Sequence, residues 1–145
     1  MSNEAYKREA VSAEGERFVD SIIFPDLKIC QPDEGFRFGI DSVVLAWFTT
    51  LKKKDSVIDI GSGSGVISAL LARIKNATDI TAIELQPQMY ACLTETVRIN
   101  SLENTIQPVH ADIRQYKPER KYNLAVCNPP YRPQGTGRLS QDSVE

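Results

Sequence analysis

Along this chain the apolar and polar positions change rhythm several times, and each rhythm predicts an element. Residues 1–20 are mostly polar with no sustained period, which predicts an arm or a short helix. In residues 27–31 and 36–38 apolar and polar side chains alternate, with Pro32, Asp33, Glu34 and Gly35 between the two runs. Alternation on both sides of a turn-forming tetrapeptide predicts a β-hairpin. Residues 42–51 then read as a helix with Asp41 as its N-cap, because a short polar side chain there can accept from the first free amides. Val43, Val44, Leu45, Ala46, Trp47 and Phe48 make this helix apolar almost all round, which predicts burial. Lys52, Lys53 and Lys54 close it with the charge that a helix C-terminus attracts, and read as its solvated end.

Beyond residue 55 short apolar runs alternate with helical periods. Residues 56–60 form a β-branched strand, and Gly61, Gly63 and Gly65 follow it. Val66, Ile67, Leu70, Leu71 and Ile74 then share one face of a helix. Residues 79–84 are a second strand, and Pro87 suits the first position of the next helix, where Met89, Leu93 and Val97 recur every fourth residue. Residues 105–109 are a third strand, placed at a sheet edge by Pro108, and residues 122–127 are a fourth. Strands alternating with helices predict a parallel sheet with right-handed crossovers. The fold class is therefore α/β, a Rossmann-like sheet with strand order 3-2-1-4. Residues 1–20 would be the arm, 21–54 a hairpin and covering helix, 55–131 the core, and 132–145 a polar tail.

Composition changes this picture little. Apolar content of 41% and charged content of 25% suit a soluble globular domain, and a net charge of −2 gives no bulk argument for nucleic acid. Cys30, Cys92 and Cys127 are far apart and form no paired motif, which predicts a reduced, cytoplasmic protein without a structural zinc site. The charged first residues give no signal-peptide core, and no apolar run is long enough to span a membrane. His110, the one histidine, reads as a surface residue without a catalytic task.

Candidate chemistry gathers at the strand ends. A glycine loop between a strand and a helix permits positive φ and lets a nucleotide-type ligand approach the backbone. Glu84 ends the second strand 19 residues after Gly65, where such folds place an acceptor for ribose hydroxyls. Asp112, just past the third strand, is placed to accept from an adenine amino group. Asp59 is a charged residue inside a buried strand, and its expected task is to hold the loop amides or a ligand's amino group; the plainer reading is a structural anchor. Val66 stands where the dinucleotide pattern needs its third glycine, which argues against a dinucleotide.

Residues 59–65, Glu84, Asp112 and the tetrapeptide Asn128, Pro129, Pro130, Tyr131 together resemble class I S-adenosylmethionine-dependent methyltransferases, in that family's order and spacing over residues 55–131. The resemblance implies S-adenosyl-L-methionine as cofactor and no metal. It puts Gly61 and Gly63 against the methionine part, Glu84 on the ribose and Asp112 near adenine. The tetrapeptide marks the group that methylates planar amines: adenine or cytosine in nucleic acid, guanine in ribosomal RNA, or a protein glutamine. A conjugated amine is a poor nucleophile because its lone pair is delocalised. The Asn128 side-chain oxygen and the Pro129 carbonyl can accept both amine protons, on a backbone that the prolines hold rigid. Tyr131 can stack on the base, worth about 1–3 kcal/mol. Residues 31–46 resemble the segment before the first strand in bacterial tRNA adenine methyltransferases, which modify the 6-amino group of an adenine beside the anticodon, in a valine tRNA in the best-known case. That segment covers the cofactor in such enzymes, so Phe38 and Asp41 become candidate cofactor or substrate contacts.

Two observations bear on partners. Residues 113–140 carry six basic side chains (Arg114, Lys117, Arg120, Lys121, Arg132, Arg138) against Glu119, an excess suited to RNA phosphates. A full sheet of this family has more strands than the four read here, so the chain reads as the N-terminal part of a longer protein or a truncated frame. Its fourth strand would be an open edge, inviting a second copy to pair. Two alternatives stand beside tRNA adenine methylation: methylation of another planar amine, and a cofactor-binding fragment that turns nothing over.

Overall fold

The computed structural model describes residues 8–10, 17–21, 24, 26–32 and 38–129. Three strands, β1 (Arg8–Ala10), β2 (Arg17–Ser21) and β3 (Lys28–Pro32), form an antiparallel sheet in that order. After α1 (Ile40–Phe48) the chain alternates through β4 (Val57–Ile60), α2 (Val66–Lys75), β5 (Ile80–Glu84), α3 (Pro87–Ile99), β6 (Ile106–His110) and β7 (Leu124–Cys127). These last four strands make one parallel sheet, ordered β6-β5-β4-β7. That is the order expected from the sequence, and β6, with Pro108 in it, is an edge among the described residues.

Val57, Ile80 and Ile106 stand at one level across the sheet and point to the same side, since paired residues share a face. They are 1% exposed or less and join Leu70, Leu71 and Leu93 of the helices in one core. Pro87 opens α3 as expected, and Met89, Leu93 and Val97 form its buried stripe. β3 lies along α3 through side-chain bonds. Asn100 accepts from the Lys28 amide at 3.0 Å and donates to its carbonyl at 2.6 Å, while the Thr96 hydroxyl accepts from the Cys30 amide at 3.0 Å.

The N-terminal region departs from its expected form in three ways. The arm or short helix expected over residues 1–20 instead contributes β1 and β2. β3 pairs with β2, from Arg17 opposite Pro32 to Ser21 opposite Lys28, and the turn and most of the second strand of the expected hairpin lie outside the described residues. Phe38 lies outside any strand, and residues 33–37 fall outside the described residues. Asp41 is not the N-cap of α1: the helix begins earlier, Gly39 is its cap, and Asp41 sits in the first turn. There its charge still faces the positive helix end.

Nor is α1 buried all round. Ser42, Val43 and Ala46 are buried, whereas Ile40, Val44, Trp47 and Phe48 form an exposed stripe, Phe48 at 84%. Among the described residues this nine-residue helix packs chiefly against α2, which covers one face only. Its lysines also lie past its end, and the cation at its C-terminus is Lys75, which donates to the Trp47 carbonyl at 2.8 Å.

Candidate active site

Parallel register brings the strand ends to one level. Ile60 stands opposite both Ile83 and Cys127, and Glu84 stands opposite His110. The residues that follow each strand therefore meet along a single edge, where Gly61, Glu84, Asp112, Asn128 and Pro129 line one cleft. In open parallel sheets this edge is where ligands bind.

The glycine loop is built from backbone geometry that side chains resist. Gly61, Gly63 and Gly65 all have positive φ, at 67°, 57° and 82°. Gly61 and Gly65 need their glycines for different reasons. A Cβ at Gly65 would lie 2.6 Å from Leu93 Cδ1, so this glycine lets α2 and α3 approach. A Cβ at Gly61 would meet nothing within 4 Å and would project into open space at the cleft. Gly65→Ala is therefore expected to destabilise the fold by about 2–4 kcal/mol, overpacking plus left-handed strain. Gly61→Ala is expected to cost only about 1–2 kcal/mol from backbone strain. Urea unfolding of both variants checks the difference, and equal losses would contradict the assignment.

Glu84 organises the loop. It is 7% exposed; its Oε2 accepts from the Gly63 amide at 2.8 Å and its Oε1 from the Gln86 amide at 2.7 Å. Each carboxylate oxygen has a second lone pair, so the group can accept again from a ligand. Asp59 does not bond to the loop amides. Its Oδ2 accepts from the Ser68 hydroxyl of α2 at 2.6 Å, and its Oδ1, wholly buried, has no hydrogen-bond partner. The loop amides go elsewhere: Ser62 to the Ile83 carbonyl, Gly65 to the Ser62 carbonyl and Gly63 to Glu84.

Burial pushes the Asp59 carboxyl up to about 6, with the Ser68 bonds opposing the rise and the Glu84 charge adding to it. A raised carboxyl binds its proton more tightly in the folded than in the unfolded chain. Its stabilising contribution is thus fully present below the unfolded value near 3.8 and is lost as pH rises through about 6. Asp59→Asn is expected to remove that loss, which amounts to roughly 3 kcal/mol at most. Denaturant midpoints for parent and variant between pH 4 and 7 should separate as pH rises. Parallel profiles would contradict the reading.

At the end of β6, Asp112 is gripped by Arg114, whose Nε lies 3.0 Å from both carboxylate oxygens and whose Nη2 lies 2.5 Å from Oδ2. That partner holds its carboxyl below the usual range. Two large apolar residues stay exposed beside the acids: Leu85, directly after Glu84, at 53%, and Ile113, directly after Asp112, at 41%. Both line the cleft. Sequence reasoning missed this pair, although a large apolar residue after each strand-end acid is a visible signal. His110 is exposed as expected, but it has structural work: its ring stacks on Tyr90 at 4.9 Å, and Nε2 lies 2.9 Å from the Leu85 carbonyl.

Asn128 leaves β7 half-buried, and its Nδ2 donates to the Ser42 hydroxyl of α1 at 3.0 Å. Pro129 is exposed beside it, while Tyr131 lies outside the described residues. Phe38 packs against the core and Asp41 is exposed in α1; neither lines the cleft, and the residue of their segment that reaches the site is Ser42. Of the four described members of the basic cluster, two are already neutralised. Arg114 pairs with Asp112, and Arg120 pairs with Asp79 through two 2.5 Å contacts, which leaves Lys117 and Lys121 exposed. Among the described residues there is no group of acids, histidines and cysteines able to hold a metal ion, and no helix long and apolar enough to cross a membrane.

The family model described as methyltransferase small domain matches residues 37–142. A tRNA1(Val) (adenine(37)-N6)-methyltransferase of Flavobacterium psychrophilum is 31% identical over 74% of this chain and 47% of its own length. One of Actinobacillus pleuropneumoniae is 32% identical over 66% of this chain and 41% of its own. The chain thus spans less than half the length of these curated relatives. In shape it is similar to TYW2 of M. jannaschii solved in complex with AdoMet, with a TM-score of 0.59 at 20% identity, over 70% of this chain and 46% of that one.

Proposed function

The chain belongs to the methyltransferase small domain family, and from that premise we propose that it binds S-adenosyl-L-methionine and directs methyl transfer to the 6-amino group of an adenine in the anticodon loop of a tRNA, in the cytoplasm. The observation that carries the reading is the placing of Asn128. Its amide nitrogen is committed to Ser42, which leaves Oδ1 as an acceptor at the same strand edge as Glu84 and Asp112.

The residues present fit the cofactor. The space beside Gly61 admits a ligand against the backbone. The buried, unbonded Oδ1 of Asp59 suits a cationic amino group. Glu84 has lone pairs left for ribose hydroxyls, and Leu85 and Ile113 offer apolar surfaces for a planar base beside Asp112. Bound there, S-adenosyl-L-methionine supplies an electrophilic methyl group, so the protein needs neither a metal nor a covalent intermediate. What remains for the chain is alignment. Asn128 Oδ1 and the Pro129 carbonyl hold the two amine protons and aim the lone pair, and Tyr131 stacks on the base. An anticodon-loop adenine is already unpaired, so bringing it to the cleft costs less than extruding a duplex base.

The relatives named as tRNA1(Val) (adenine(37)-N6)-methyltransferases favour adenine in tRNA over other planar amines. The test is methyl transfer from labelled cofactor to bulk tRNA taken from a strain without this gene. Labelled 6-methyladenosine in the nuclease digest is the expected product. Label in DNA or in protein glutamine, with tRNA unlabelled, would move the assignment to another amine. We place self-association, where it occurs, at the open side of β7, whose one neighbour among the described residues is β4. Light scattering across a concentration series checks it, and an unchanging monomer mass would remove it.

A further inference from the structure

The geometry points to Ser42 as the positioning residue that anchors the nitrogen of the Asn128 amide and so holds the side chain with its oxygen toward the substrate. This inference rests on the reading of Asn128 as the amine acceptor. An asparagine amide has an acceptor end and a donor end of nearly equal size. With Oδ1 toward the amine, the site presents two acceptors, Oδ1 and the Pro129 carbonyl, to two N–H donors. Rotated by half a turn, it would present an NH2 group to an NH2 group, and the target amine would be repelled. Shape does not choose between the two, and a serine hydroxyl, donor and acceptor at once, contributes by fixing the amide in the orientation observed. The Ser42 hydroxyl is 3.0 Å from Nδ2, accepting from it, on a residue only 3% exposed.

The platform is firm. Ser42 lies in the first turn of α1, its amide bonded to the Gly39 carbonyl, and Val43 and Ala46 bury the same helix against the core. Eighty-six residues separate the two partners, so the contact depends on the tertiary fold. It also gives α1 a task that its exposed stripe does not explain.

Ser42→Ala removes the hydroxyl and adds no atoms, whereas Ser42→Thr keeps it. For methyl transfer to tRNA, Ser42→Ala is expected to lower kcat about 10–100-fold through misplacement of the acceptor. Cofactor affinity and thermal midpoint should stay near parent values, and Ser42→Thr should restore the rate. An unchanged kcat in Ser42→Ala, beside a parent that methylates tRNA, would overturn the inference alone; a parent that methylates nothing would overturn the reading of Asn128. A second measurement needs no turnover. The Asn128 side-chain NH2 signals, assigned by their disappearance in Asn128→Ala, should exchange slowly with solvent in the parent and about tenfold or more faster in Ser42→Ala, as expected when a protecting bond is lost. Equal exchange in the two proteins would show that Ser42 does not hold the nitrogen.

Discussion

An Asn128→Ala variant is expected to bind S-adenosyl-L-methionine as the parent does and to transfer its methyl group about 10²–10³-fold more slowly. The Asn128 side chain hydrogen-bonds to Ser42 of α1 and not to Glu84 or the glycine loop. Removing it leaves the cofactor's proposed contacts in place and takes away one of two acceptors for the amine. The effect should fall on kcat, since the bond to the amine is strongest when the lone pair is committed to the methyl group. Ser42→Ala should add little in this background, because the two side chains act as one unit. Single-turnover rates on tRNA for the four proteins of that cycle check both statements. A loss confined to KM would contradict them.

Glu84→Ala should have the larger effect on binding. Two backbone amides, of Gly63 and Gln86, depend on this carboxylate. The variant therefore loosens the glycine loop and the start of α3 while removing the proposed ribose acceptor. Hydrogen bonds to a charged group are worth about 1.5–3 kcal/mol each. The loss of two such bonds corresponds to a cofactor affinity about 10²-fold weaker or more. Glu84→Gln should not rescue it, since an amide NH2 would face one of the two backbone donors. Equilibrium dialysis with labelled cofactor measures the change, and an affinity within threefold of the parent, about 0.7 kcal/mol, would place the ribose elsewhere.

Legibility in the sequence followed the range of the interactions. The parallel sheet could be read because each strand is a continuous apolar run set between strong signals: the glycine loop, Pro87 and Pro108. Once the strands are parallel, the residues after them must share an edge, so Gly61, Glu84, Asp112 and Asn128 could be gathered from order alone. The N-terminal sheet could not. β1 is three residues long, and what makes strands of β1 and β2 is their pairing toward β3, which no local period records.

The environment of α1 was misread for a related reason. Composition counts apolar residues but not neighbours, and α2 covers one face while Trp47 and Phe48 stay exposed. At the site, Asp59 was recognisable as a buried charge, yet its bond runs across to Ser68 of α2 and not along the chain to the loop. Ser42 gave no signal at all, because its role exists only where α1 and the end of β7 meet.

The most direct test is calorimetric titration of the protein with S-adenosyl-L-methionine. One site with Kd on the order of 1–100 μM is expected, about −5.5 to −8 kcal/mol. It should be weakened in Glu84→Ala and in Gly61→Ala, where a Cβ fills the space beside the loop, and unchanged in Asn128→Ala. No saturable heat up to about 1 mM cofactor would contradict the assignment of this strand edge as an S-adenosylmethionine site.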